Sequence, residues 1–210
     1  VWEGAVRLLS QTPWFGIGLR SQHADAISAA PRAVDWYELL SDTCIGVGGA
    51  RRALLERVRR DHPVALHGVS LSIAGSDPFE TPYLKGLREL SDWLDPAFVS
   101  DHLCWTSLGG HASHDLLPVA YTEEVLDHVA ARVAAVQERL GRRLLLENAS
   151  AYVTFRGNAI GEAEFFAALC QRSGCGMLLD VNNLFVNAAN LGIDPGAYLA
   201  ALPSEAVGYL

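Results

Sequence analysis

Histidine, aspartate, glutamate and asparagine recur in this chain at one kind of place, the end of a short apolar run. Leu178-Leu179 gives way to Asp180, Val181, Asn182 and Asn183. Leu144-Leu145-Leu146 ends in Glu147-Asn148, Val64-Ala65-Leu66 in His67-Gly68, and Phe98-Val99-Ser100 in Asp101-His102. Arg20 and His23 follow a run that starts at Phe15, and Glu38 lies inside another apolar run. Imidazole and carboxylate together suit iron, manganese or zinc, whereas sets of oxygen alone suit magnesium or calcium. Several carboxylates able to bridge, set among histidines, point to more than one ion.

Taken singly, each residue also has a plain structural reading. His23 or His67 could be a hydrogen-bonded framework histidine, Asp101 a cap, Asn182 or Asn183 a turn former, and Glu38 an inward polar group without a metal. The joint pattern outweighs these readings, because charged groups at the ends of many buried strands need compensation for lost hydration and a metal cluster supplies it. His62, beside a proline, and His128, on an amphipathic helix, are read as structural, and Cys104 and Trp105 as packing. His111 and His114 flank a glycine-rich loop where a substrate contact is conceivable.

Positioning such groups requires strands that end on one rim. The patterning predicts strands over 15–19, 34–40, 63–66, 97–100, 143–146, 176–179 and 206–210. Runs apolar on both faces read as buried parallel strands. Helices are expected after His23 and over 50–61, 81–94, 122–140, 161–173 and 195–202, with loops at 46–49 and around Gly109-Gly110. Thr122 with Glu123 and Glu124 suits a helix start, Gly141 suits its end, and Val125, Val129, Val133 and Val136 form one apolar stripe. Strands alternating with helices at this spacing imply an α/β fold with a parallel sheet. Polar residues at nearly every strand exit favour a TIM-type (β/α)8 barrel, whose chemistry sits on that rim. The expectation is an N-terminal extension over 1–14 and an incomplete barrel over 15–210, truncated within the seventh strand and hence a fragment. Gly16 and Gly18 lie inside the first strand, so no dinucleotide fingerprint is present. A P-loop and a nucleophile elbow are absent too.

The bulk numbers fit this picture. The 210 residues are 50% hydrophobic and 19% charged, a globular composition, with a formal net charge of −8. The densest basic patch, Arg51, Arg52, Arg57, Arg59 and Arg60, shares its helix with Glu56 and Asp61 and reads as a solvated face, so no nucleic acid is expected. The 4 cysteines include no C-x-x-C pair and suit free thiols in a reducing compartment. No apolar run reaches membrane-span length and the start lacks the features of a secretory signal, which makes the cytoplasm the default.

The ordered set Gly16-Ile-Gly-Leu-Arg20 with His23, His67-Gly-Val-Ser-Leu-Ser72, Ser100-Asp-His-Leu-Cys-Trp105, Asp115-Leu-Leu-Pro118, Leu146-Glu-Asn148 and Leu179-Asp-Val-Asn-Asn183 resembles the multinuclear non-haem iron-dependent oxidases. That family was long described only as a domain of unknown function, and its familiar member acts in methanobactin biosynthesis. The resemblance covers residues 15–210 and implies a TIM barrel holding two or three iron ions. It implies dioxygen as co-substrate and modification of cysteine, or another residue, in a ribosomally synthesised precursor peptide. A leader-binding partner protein is also implied. By motif, His23, His67, Glu147 and Asp180 are expected as iron ligands with Asn183 as a further one, and Glu147 as a bridging carboxylate. Asp101, His102, Asn148 and Asn182 are expected to orient ligands or contact substrate. The family pattern continues into more His, Asp and Glu ligands past Tyr209-Leu210. Two rival readings stand beside it. One is a zinc- or manganese-dependent TIM-barrel isomerase or hydrolase of the xylose-isomerase or endonuclease-IV type; the other is a truncated, non-catalytic barrel.

Overall fold

The computed structural model describes residues 13–29, 34–78 and 82–210, and the weak helical pattern expected at the very N-terminus lies outside them. Seven parallel strands form one sheet in the order β1 (Gly16–Gly18), β2 (Trp36–Leu40), β3 (Val64–His67), β4 (Phe98–His102), β7 (Leu144–Glu147), β8 (Gly176–Leu178) and β9 (Val207–Tyr209). Each joins its predecessor in the sheet in parallel register, and the pairs His67↔Ser100 and His102↔Glu147 set the level of the strand ends. Helices α1 (Ala24–Ala29), α2 (Gly49–Asp61), α3 (Pro82–Leu94), α4 (Glu123–Leu140), α5 (Glu162–Ser173), α6 (Val181–Leu191) and α7 (Pro195–Ala201) lie along the crossovers.

Side chains alternate across each strand. Tyr37, Leu39, Val64, Leu66, Val99, Leu144, Leu146 and Met177 belong to the hydrophobic layer between sheet and helices. The residues between them face the inside of the curl. Curvature is shown by Tyr209, whose hydroxyl on β9 reaches Glu38 on β2 and Ser100 on β4. The sheet is therefore seven strands of a TIM-type (β/α)8 barrel, as the strand exits led one to expect.

Helix α4 shows how local sequence fixes the outer layer. Thr122 Oγ1 accepts from the Val125 amide at 3.3 Å. Gly141 closes the helix in the left-handed region at φ 63°. Both satisfy end groups that the helix leaves unbonded. Leu126, Val129, Val133, Val136 and Leu140 are fully buried, each worth roughly 1.5–3 kcal/mol of burial.

Two segments differ from the sequence expectation. The loop around Gly109-Gly110 is an antiparallel hairpin, β5 (Trp105–Leu108) and β6 (His111–Leu117). Its two turn glycines have φ of 59° and 78°, the left-handed pair that a two-residue hairpin turn demands. The polar strand β6, carrying His111 and His114 in the open, hid this from a hydrophobicity pattern. Residues past Asp180 are the start of α6, not a turn, because Asp180 caps that helix with its side chain. Among the described residues, no helix is long and apolar enough to cross a membrane.

Candidate metal centre

His67, His102 and Glu147 are the final residues of β3, β4 and β7, three neighbours in the sheet, and all three point inward. Among the described residues they form the one histidine–carboxylate group whose donor atoms all lie within 4.8 Å of one another. His67 Nε2 is 3.1 Å and His102 Nε2 3.3 Å from the same Glu147 Oε2. The two imidazole rings meet edge to face at 4.7 Å.

The far side of each ring is held. His102 Nδ1 lies 3.2 Å from the Gly68 carbonyl oxygen, which can only accept, so Nδ1 carries the proton and Nε2 is a bare lone pair. His67 Nδ1 lies 2.9 Å from Ser100 Oγ. Asn183 Nδ2 donates to the other Glu147 oxygen at 3.0 Å and to the Asn148 carbonyl at 3.0 Å. Asn148 in turn clasps the Asp180 backbone, donating to its carbonyl at 2.9 Å and accepting from its amide at 2.8 Å. Thus β7 and the entry to α6 are locked together beneath the carboxylate.

Charge in this pocket is poorly hydrated. Burial, with help from Asp180 and Glu38, pushes the Glu147 carboxyl up to about 8. Burial and the neighbouring His67 take His102 down to about 4, and burial lowers His67 as well. Two neutral nitrogens and a carboxylate oxygen thus converge with a single proton at most to share among them. A divalent cation satisfies all three at once, which is the fit expected of a two-histidine, one-carboxylate site. A cavity of about 600 Å³ opens beside it, lined by Glu38, His67, Glu147, Asp180 and Tyr209 together with Phe15 and Val181.

The remaining expected site residues are placed as follows. Asp180 faces the cavity, yet its Oδ1 accepts from the Asn183 amide at 2.7 Å as the helix cap. Asn183 is engaged through its amide nitrogen, so its oxygen is the atom left to meet an ion. Asn182 is exposed on the first turn of α6. His23 stands at the exit of β1, with Nδ1 accepting from the Arg20 amide at 3.2 Å, outside the group of three. Glu38 accepts from the Tyr209 hydroxyl at 3.1 Å.

Asp101 points away from His102, as adjacent strand residues must. Fully buried on the outer side, it accepts from the amides of Leu71 and His102 and from the Tyr83 hydroxyl, and so holds the loop after β3. Its burial raises the carboxyl to about 7. Sequence reading passed over Ser100 and Tyr209. The period-two pattern Phe98, Ser100, His102 was the available signal, since it puts Ser100 on the inner face with His102.

Together these features define a class: a TIM-type barrel that gathers imidazole and carboxylate groups at the carboxyl ends of its strands. Within that class, the chain belongs to the RiPP precursor modification enzyme MbnB/TglH/ChrH family, whose model matches residues 14–210. It is 52% identical over 195 residues to a UPF0276 protein of Anaeromyxobacter sp. (strain Fw109-5), covering 93% of this chain and 69% of that protein. A UPF0276 protein of Caulobacter vibrioides (strain NA1000 / CB15N) is 48% identical, with 92% of this chain and 69% of the relative covered. Among solved structures, a D-psicose 3-epimerase superposes with a TM-score of 0.63 at 11% identity, covering 93% of this chain and 71% of its own. Endonuclease IV from Thermus thermophilus gives a TM-score of 0.58 at 18% identity, with coverage of 93% and 72%. At such identities the likeness is one of fold.

Proposed function

We propose that this chain supplies iron ligands to an oxygen-dependent oxidase that modifies cysteine, or another residue, of a ribosomally synthesised precursor peptide. The observation that bears most weight is the convergence of His67 Nε2 and His102 Nε2 on one oxygen of Glu147, in a member of a precursor-modifying family. Two neutral nitrogens and one carboxylate, with the adjoining cavity leaving coordination positions open, are the donor set that non-haem iron(II) oxygenases use. Iron bound there would supply one-electron chemistry toward dioxygen, which no side chain of the protein can provide.

The protein's own groups do the rest. Gly68 and Ser100 aim the two imidazoles, and Asn183 fixes the rotation of the Glu147 carboxylate. Glu38, Asp180 and Glu147 place three carboxylates around one cavity, more anionic charge than one divalent ion offsets. That supports a second or third ion, with Asp180, His23 and Asn183 as its ligands and Glu147 as the bridge. The exposed apolar share of the lining, Phe15, Ile17 and Val181, suits the docking of an extended peptide. Delivery of the peptide leader falls to a separate protein. Free thiols at Cys44, Cys104, Cys170 and Cys175 and a ferrous centre both suit the reducing cytoplasm.

The test is metal analysis of the intact protein purified without oxygen, paired with oxygen uptake in the presence of precursor peptide. Iron at two or more per chain and peptide-dependent uptake are expected, with His102→Ala and Glu147→Gln each losing most of the metal. Zinc or manganese alone, without oxygen uptake, would sink the oxidase reading in favour of the isomerase or hydrolase chemistry that the same donors allow.

A further inference from the structure

Behind His67 runs a hydrogen-bonded chain that crosses the barrel through four strands. Tyr209 on β9 donates its hydroxyl hydrogen to Glu38 Oε2 on β2 at 3.1 Å. Its oxygen also lies 3.0 Å from Ser100 Oγ on β4. Ser100 Oγ lies 2.9 Å from His67 Nδ1 on β3, and the opposite nitrogen of that ring faces Glu147 at 3.1 Å.

Counting hydrogens gives this chain a direction. A phenol has one hydrogen, and here it goes to Glu38 Oε2. The contact between Tyr209 and Ser100 is then a bond only if Ser100 donates. Its competing acceptor, the Leu66 carbonyl, is farther away at 3.3 Å. With its own hydrogen spent, Ser100 can only accept from His67, so Nδ1 carries the ring proton and Nε2 presents a lone pair to the ion. Without the phenol, the Ser100 hydrogen divides between the Leu66 carbonyl at 3.3 Å and Nδ1. When it goes to Nδ1 the ring proton sits on Nε2, where it blocks coordination.

We propose that Tyr209 is a positioning residue for the metal centre: through Ser100 it fixes the tautomer of His67 that can bind an ion. The proposal rests on the metal-centre reading above for its purpose, but its geometry is independent of which metal is held. Tyr209 is well placed for the task, because its ring is clamped between Trp36, edge-on at 5.3 Å, and Phe98, tilted by 30° at 5.4 Å. Tyr209→Phe keeps that clamp and removes only the hydroxyl.

The experiment uses the intact protein in two arms. In metal-free protein, nitrogen-15 histidine NMR reads the protonated nitrogen of His67. Wild type is expected to show Nδ1–H, and Y209F to show a mixed or reversed tautomer. In the second arm, Co²⁺ is titrated and its visible spectrum recorded. Y209F and Ser100→Ala are each expected to weaken Co²⁺ binding about tenfold and alter the spectrum. The double variant should be no weaker than S100A alone, because both changes act through one path. A Y209F protein with wild-type tautomer and affinity would overturn the proposal, and so would losses that simply add. Wild-type protein that shows Nδ1–H yet takes up no Co²⁺ would count against the oxidase reading while upholding the tautomer control.

Discussion

At Gly68 the chain has no room for a β-carbon: one would lie 2.2 Å from the Tyr83 hydroxyl and 2.5 Å from an Asp101 carboxylate oxygen. The same residue offers the carbonyl that holds His102 Nδ1. Gly68→Ala is therefore expected to displace that carbonyl and lower metal affinity at least tenfold, with overpacking adding about 1–3 kcal/mol of destabilisation. Metal titration beside a denaturant curve separates the two effects, and unchanged affinity would reduce Gly68 to a packing role. At this scale the sequence was partly legible. His67 and Glu147 stood out because each ends an apolar run, and alternation alone turns Asp101 away from its neighbour His102. Ser100 was hidden, since a lone serine in a strand has no chemistry until its partners, 33 and 109 residues away, are known.

Among the elements, the junction of β8 and α6 carries two functions on one side chain. Asp180 caps the helix through Oδ1 and also faces the cavity beside Glu147. Asp180→Ala is expected to cost about 0.5–2 kcal/mol through loss of the cap alone. Asp180→Ser retains a capping oxygen, so its stability should match wild type while the carboxylate is gone. If D180S, assayed by iron content, keeps a full complement of metal, Asp180 is a cap and not a ligand. The central strands were readable because parallel strands buried on both faces are mainly apolar. Helix α6 was not, because its first turn is Val-Asn-Asn and its capping aspartate reads equally well as a ligand. Hairpin β5–β6 escaped for the opposite reason: an exposed ribbon has no apolar face to betray it.

Across the whole molecule, the pH dependence of stability and the order of folding follow from two side-chain contacts between distant elements. Glu162 at the start of α5 is bonded by Tyr198 of α7 and by Tyr121, and burial raises its carboxyl to about 7 against those bonds. The folded state thus holds a proton that the unfolded chain releases near the ordinary value of 4.5. Stability from this group is complete below that value and is lost as pH rises to about 7, by on the order of 2–3 kcal/mol. Glu162→Gln should flatten the decline between pH 5 and 8 in denaturant midpoints, and an unchanged slope would refute the assignment. The Glu38–Tyr209 bond joins residues 171 positions apart in the chain, so its two strands meet only after the intervening sheet has assembled. A contact made that late leaves the folding rate almost untouched and acts on unfolding. Stopped-flow measurements, with Trp36 beside Tyr209 as the fluorophore, should find Y209F unfolding faster while refolding at the wild-type rate. The bond that aims an imidazole would then also be the latch whose release begins the barrel's unfolding, and the protein's lifetime in its folded form would depend on it.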